Sequence, residues 1–223
     1  MTTRRNFLKS TLAATAAAST TLSLARSSHA AGSDKIKIGL IGCGGRGSGA
    51  AVNAMNAGPD VTLVAMADIF EDRVTGARRR LKELKPDQVA VDDDHMFVGF
   101  DAYQKVIDCV DVVLIAAASH FHPAYLKAAV AANKHVFCEK PHGLDVPGLK
   151  IAMAAGEEAK KKNLTLVSGL CWRYDLGVRE TIKRVQDGAI GDIINVQENY
   201  LTQPYILRER KPEWSEMYYQ YQN

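Results

Sequence analysis

A doubly wound, parallel α/β sheet is the fold class this sequence predicts, and three observations predict it. An apolar run, KIKIGLI at residues 35–41, passes straight into Gly42, Gly44 and Gly47 at G-x-G-x-x-G spacing. A second apolar run, residues 61–67, ends in Asp68, 21 positions beyond Gly47. From there helix-like and strand-like segments keep alternating, as strands joined by crossover helices do.

In the first turn each glycine has a task. Gly42 allows the tight exit from the strand, Gly44 lets a pyrophosphate approach the backbone, and Gly47 lets the following helix, expected over residues 48–57, pack closely. The phosphates would rest on that helix's N-terminus, so the whole turn of Gly42, Cys43, Gly44, Gly45, Arg46 and Gly47 is a candidate cofactor-binding segment. The turn Gly58-Pro59 leads into the second strand. An acid at that strand's end, about 20 positions past the glycines, accepts hydrogen bonds from an adenosine ribose and repels a 2′-phosphate. Asp68 therefore points to NAD; NADP stays open because Arg73, on the next helix, could swing toward a phosphate.

Next come a charged helix to about residue 85, an irregular acidic loop through Asp92, Asp93 and Asp94, and a helix over residues 103–109. VDVVLIAAA at residues 110–118 is a continuous apolar run, as expected of a parallel strand buried on both faces. Ser119-His120-Phe121-His122 follows, and Pro123 opens a helix over residues 124–133. A strand at 135–139, a helix at 146–162 and a strand at 164–170 complete the series. The run Lys160-Lys161-Lys162 at a helix end reads as a solvated face opposing the helix dipole. Ligands bind such sheets at the carboxyl ends of the strands. Residues 119–122, 139–142 and 172–174 each follow a strand, and so join Asp68 and the glycine turn as the informative positions. Trp172 is either core packing or a stacking wall for a sugar.

Composition excludes several classes. The 223 residues are 47% hydrophobic and 24% charged, a globular balance. The net charge of +3 comes from Arg4, Arg5, Lys9 and Arg26, in a stretch of 30 residues with no acid, and setting these four aside leaves 24 basic against 25 acidic residues. Binding to nucleic acid or a membrane surface by bulk charge has no support. The leader itself, residues 1–31, has a charged start, a small-residue apolar middle too short to span a bilayer, and Ser28-His29-Ala30 near its end. Arg4-Arg5 followed by Phe7-Leu8-Lys9 is similar to a bacterial twin-arginine export signal. Export to the periplasm is expected, with cleavage after Ala30 or Ala31 and no membrane association afterwards. Cys43, Cys109, Cys138 and Cys171 form no C-x-x-C pair and no metal site, and all four read as buried thiols of the core.

Glu139-Lys140-Pro141, directly after the strand HVFC, adds a second decisive feature. Together with the glycine turn, Asp68, the S-H-F-H loop and GLCWRYD at residues 169–175, it resembles the Gfo/Idh/MocA family of sugar oxidoreductases over roughly residues 35–200. The resemblance implies a Rossmann dinucleotide-binding domain followed by an α/β domain built on an open, largely antiparallel sheet. It also implies a sugar or cyclitol substrate and a full-length protein that is a homo-oligomer. Lys140 is then the catalytic residue that helps bind substrate and poises its hydroxyl for proton removal. Ser119 and His122 lie along the nicotinamide ribose, Arg173 lies near the nicotinamide or substrate, and Glu139 joins the cofactor site. Ala117-Ala118 stand where many members have Thr-Pro. The residues themselves agree on Lys140: beside a cationic nicotinamide ring its ammonium form is disfavoured, so it can share or relay a proton. The competing reading is a surface lysine paired with Glu139.

Residues 35–170 are expected to form the cofactor domain and residues 171–223 the start of a second, substrate domain. GDIINVQENY at 191–200 alternates as a first strand of a second sheet would, and Tyr205, Trp214, Tyr218, Tyr219 and Tyr221 follow with no core in sequence to bury them. A chain cut off early is the expectation, able to bind dinucleotide but not to turn substrate over. The leading function is an exported NAD(P)-dependent oxidoreductase moving a hydride to or from a hydroxyl-bearing carbon of a sugar or cyclitol. The alternatives are an exported glycosidase that uses NAD transiently and a non-catalytic NAD-binding module.

Overall fold

The structure, a computed structural model, describes residues 35–204 and 207–222. The leader and its proposed cleavage site lie outside the described residues, as does Tyr205.

Six strands form one sheet in the order β3-β2-β1-β4-β5-β6, with every pairing parallel. The strands are β1 (Ile36–Ile41), β2 (Val61–Asp68), β3 (Met96–Val98), β4 (Val112–Ile115), β5 (His135–Cys138) and β6 (Leu166–Ser168). The helices are α1 (Gly45–Met55), α2 (Glu71–Leu84), α3 (Ala102–Cys109), α4 (His122–Ala131), α5 (Val146–Lys161), α6 (Leu176–Gln186) and α7 (Glu216–Gln222). The order of connection reverses between β1 and β4, which opens a crevice at their carboxyl ends.

Alternation along the strands divides the core in two. Ile41, Val113, Ile115, Val136 and Cys138 face α3, α4 and α5. Ile38, Leu40, Leu63 and Leu114 face α1 and α2. The register of β1 against β2 shifts between Ile38 and Gly39, and this one-residue bulge returns Ala65 and Ala67 to the first face. With three helices on one side and two on the other, the faces of β5 and β6 beyond α1 are less well covered. They border an apolar groove of about 850 Å³ lined by Ile36, Val112, Phe137 and Val167.

Several expectations change at the boundaries. α1 starts at Gly45, three residues early, because Gly44 in an extended conformation serves as its N-cap. β4 ends at Ile115, since Ala116, Ala117 and Ala118 turn away to line the crevice. β3 was not legible at all: three residues at a sheet edge carry no periodicity. Residues 191–200 form no strand, because an alternating segment without a neighbouring strand has no ladder to join. Cys43 and Cys138 are buried thiols, but Cys109 is half-buried and Cys171 exposed, so the core reading fails for Cys171. Trp172 is 67% exposed and therefore not core. Lys162 is not merely solvated either: its ammonium donates to the Val130 and Ala131 carbonyls at the end of α4 and pairs with Glu158.

Candidate functional site

Backbone hydrogen bonds carry the sheet's ladder slightly past the strands: Gly42 N–H donates to Ala67, Ala116 to Ile41, Glu139 to Ile115 and Gly169 to Cys138. The residues following β1, β4, β5 and β6 are thereby lined up along one edge. A cleft of about 230 Å³ opens there, lined by Gly42, Gly44, Asp68, Phe70, Arg73, the three alanines after β4, and a set of aromatic rings.

The glycine turn is built for close approach. Gly42 has φ +96°, and a Cβ there would strike the Ala116–Ala117 backbone. A Cβ on Gly47 would collide with the Gly42 carbonyl, which is how α1 packs so near the strand it follows. At Gly44 and Gly45 a Cβ would meet nothing within 4 Å. That open space lies in front of the N–H groups of Gly45, Arg46 and Gly47, which precede the first bond inside the helix, Ser48 N–H to Gly44. An anion such as a pyrophosphate fits this arrangement of donors and helix dipole. Cys43 contributes otherwise than expected. Its N–H is given to Asp68 Oδ2 at 2.7 Å, and its buried thiol points to the Ala67 carbonyl, with burial and the nearby Asp68 charge pushing the thiol well up. It shapes the acid; it does not reach outward.

Asp68 is held on both oxygens, by Cys43 N–H and by Phe70 N–H at 3.1 Å. Each oxygen keeps lone-pair capacity for a further donor. A carboxylate fixed in this way at the cleft wall suits the two hydroxyls of a ribose. These features together fit a dinucleotide.

Glu139 is 6% exposed, and its partner is not Lys140 but Arg46: Nε and Nη2 of Arg46 approach Oε1 at 2.7 and 2.6 Å. Gly169 makes room for the acid, since a Cβ there would lie 2.9 Å from its carboxyl carbon. Glu139 Oε2 also accepts the Lys140 N–H at 3.2 Å. Lys140 itself is exposed at the carboxyl edge, next to the pinned acid. The pairing of Glu139 with the Lys140 ammonium is thus replaced by one with the glycine turn.

His122 is 1% exposed, with Nδ1 2.7 Å from the Pro141 carbonyl and Nε2 2.9 Å from that of Ala117. Both nitrogens face carbonyl oxygens, one in the loop after β4 and one in the loop after β5, and whichever carries the proton donates to its carbonyl, so this buried ring does not turn toward a ribose in the cleft. Ser119 begins a short 3₁₀ turn (Ser119–Phe121) and is half-buried outside the cleft lining. Arg173 is exposed in the 3₁₀ turn Cys171–Tyr174 after β6. His142 is half-buried, its Nε2 buried without a partner, and burial together with the neighbouring His122 lowers its pKa against the opposing pull of Glu139. The sequence gives no sign of Tyr103 and Tyr125 in the aromatic lining; Phe121 lies inside the S-H-F-H loop, Gly169 opens the GLCWRYD segment without a stated role, and Tyr221 stands out only as one of the aromatics in need of a core. Rings on helices read as core, and nothing local distinguishes a ring that borders a cleft. Among the described residues no cluster of metal ligands occurs, and no helix is long and apolar enough to cross a membrane.

Comparison with known proteins bears on this geometry. Residues 36–169 match the family model described as an oxidoreductase family with an NAD-binding Rossmann fold, Gfo/Idh/MocA. Residues 1–21 match the twin-arginine translocation signal, so the chain carries an export signal for that pathway. Myo-inositol 2-dehydrogenase of Thermotoga maritima is 31% identical over 173 residues, 78% of this chain and 44% of that protein. Glycosyl hydrolase family 109 protein 1 of Bacteroides fragilis is 26% identical over 171 residues, 75% of this chain and 35% of that protein. Among solved structures, scyllo-inositol dehydrogenase from Lactobacillus casei with bound NAD(H) and scyllo-inositol superposes with a TM-score of 0.56 at 27% identity, covering 71% of this chain and 43% of that one. The chain thus spans less than half the length of these relatives.

Proposed function

The chain belongs to the Gfo/Idh/MocA oxidoreductase family, and from that premise we propose that it is an exported, NAD-dependent oxidoreductase acting on a hydroxyl-bearing carbon of a cyclitol or sugar. Its working compartment is the periplasm. Residues 35–170 hold the cofactor, and residues 171–223 belong to the substrate half. Inositol dehydrogenases among the relatives support the cyclitol class.

One observation carries the reading: the Arg46–Glu139 pair fastens the E-K-P segment to the glycine turn. The residue expected to handle the substrate proton is tied by its neighbour to the segment expected to hold the phosphates. Bound NAD supplies the hydride-accepting carbon of its nicotinamide. Gly44, Gly45 and the N-terminus of α1 receive the pyrophosphate, and Asp68 receives the adenosine ribose hydroxyls. Lys140 takes the proton of the substrate hydroxyl, a contribution of about 10²–10⁴-fold. Ser119 and Arg173 flank the nicotinamide end.

The test is to titrate NAD and NADP, then follow reduced cofactor on a panel of inositols and sugars, with Lys140→Met alongside the unaltered protein. NAD binding by the 223-residue chain without turnover is the expected result, together with turnover in a version extended to the relatives' full length that Lys140→Met abolishes at unchanged NAD affinity. No binding of either cofactor would overturn it. The similarity to a glycosyl hydrolase favours one second reading, transient oxidation during glycoside cleavage. Release of the aglycone from an aryl glycoside without net NADH would favour it, and cofactor binding without any turnover even in the extended version would leave a binding module.

A further inference from the structure

We propose that Tyr221 is a wall of the adenosine end of the cofactor cleft, and that residues 211–221 are a strap that closes this end. The proposal rests on the NAD reading above and assigns part of that site to a segment far from every motif that suggested it.

The strap is anchored on the turn that carries the ribose acid. Tyr218 packs on Phe70 with ring centroids 4.5 Å apart, and its hydroxyl donates to Asp72 Oδ2 at 3.0 Å. Phe70 and Asp72 stand two and four residues beyond Asp68, and Phe70 N–H is one of the two donors that hold the Asp68 carboxylate. Trp214 packs against Tyr218 in turn, at 5.3 Å, and Ser215 Oγ caps α7 by accepting the Tyr218 N–H at 3.1 Å.

One helical turn past this anchor, Tyr221 reaches the cleft. Its ring stacks on Phe121 at 5.8 Å and 28°. Phe121 stacks on Tyr125 at 5.5 Å and 9°, and Tyr125 on Tyr103 at 4.2 Å and 25°. All four rings line the same cleft as Asp68 and Gly42. A row of π-faces running out from a buried core, ending beside a fixed carboxylate, is the chemistry that recognises a purine nucleoside: the acid takes the sugar hydroxyls and a ring takes the base. Tyr221 is 39% exposed, so one part of its ring is supported by Phe121 while another remains available. No base-specific hydrogen bond is needed for such a contact, which is why no sequence motif announces it.

The probes are NAD, ADP-ribose, which keeps the adenosine, and nicotinamide mononucleotide, which lacks it. Each is titrated calorimetrically into the unaltered protein, Tyr221→Ala, Tyr221→Phe and Tyr218→Ala, with melting temperatures as the check on folding. A base stacked on an aromatic ring gives roughly a tenfold effect on removal of the ring. Tyr221→Ala should therefore weaken NAD and ADP-ribose about 5- to 30-fold while leaving nicotinamide mononucleotide within about twofold. Tyr221→Phe should bind all three as before, and Tyr218→Ala should weaken the two adenosine ligands by freeing the strap. Equal ADP-ribose affinity in the unaltered protein and Tyr221→Ala would overturn the proposal. So would tighter binding in either alanine variant, since the strap would then obstruct the cleft. NAD bound indifferently to Tyr221 would leave the cofactor reading standing, whereas no NAD binding to the unaltered protein would remove both.

Discussion

Arg46 in the glycine turn grips Glu139 at the end of β5, with two guanidinium nitrogens within 2.7 Å of Oε1, across 93 positions of sequence. The two side chains are unequally placed, 51% and 8% exposed. Arg46→Ala leaves a nearly buried carboxylate without its cation, while Glu139→Gln leaves an arginine that can turn to water. Removing a partner from a buried pair costs about 3–5 kcal/mol, reduced here because Arg46 is half in solvent. Arg46→Ala should thus lower stability by about 1–3 kcal/mol and Glu139→Gln by less, with a coupling above about 0.5 kcal/mol in the double-mutant cycle. Denaturant unfolding measures all three, and equal losses from both single changes would contradict this placement.

Gly42 and Gly44 should respond in opposite ways. At Gly42, φ +96° and the Ala116–Ala117 backbone leave no place for a side chain. Gly42→Ala should cost about 1–3 kcal/mol and abolish dinucleotide binding. Gly44 faces open space at the N-cap of α1, where an aspartate is a good capping residue. Gly44→Asp should keep or slightly raise the melting temperature while putting a negative charge on the pyrophosphate path, weakening NAD at least about tenfold. Thermal melts paired with NAD titration separate the two effects.

Asp68→Ala should weaken NAD by about 10- to 100-fold, the scale of losing hydrogen bonds to a charged group. NADP should lose less, because the repelled 2′-phosphate is no longer opposed, so the preference between the two narrows. An unchanged NAD-to-NADP ratio would move discrimination to Arg73, which lines the same cleft.

The depressed pKa of His142, caused first by burial and then by His122, makes a pH prediction. The unfolded chain binds a proton there near the ordinary histidine value of about 6.5, and the folded chain only at lower pH. Stability from this group is complete above about pH 6.5 and is lost as pH falls below it. His142→Asn removes that loss, so the melting temperature of the unaltered protein minus that of the variant should fall between pH 7.5 and 5.5. A constant difference across this range would show that His142 does not titrate differently on folding.

Much of the site was legible because its logic is local. Gly42, Gly44 and Gly47 lie within six residues, and their spacing states which torsions and clearances the turn needs. Asp68 is marked by a strand end and a distance along the chain. The alternating strands and helices likewise determined a parallel sheet, and with it the edge where ligands bind.

Contacts between distant segments were decided only by the tertiary structure. Nothing in E-K-P says that Glu139 pairs with Arg46 in place of Lys140; strand order brings β5 beside β4 and β4 beside β1, and only then do the two loops meet. The same holds for His122, whose nitrogens face carbonyls of two different loops, and for Tyr221, which finds Phe121 100 positions away. Conversely, residues 191–200 alternate like a strand and form none, because a strand is a relation between two segments and the pattern of one states only half of it. Sequence determined which backbone each segment adopts and which of its faces is apolar; the sheet order determined which side chains meet, since hydrogen bonds and ion pairs act over a few ångströms regardless of how far apart the residues lie along the chain.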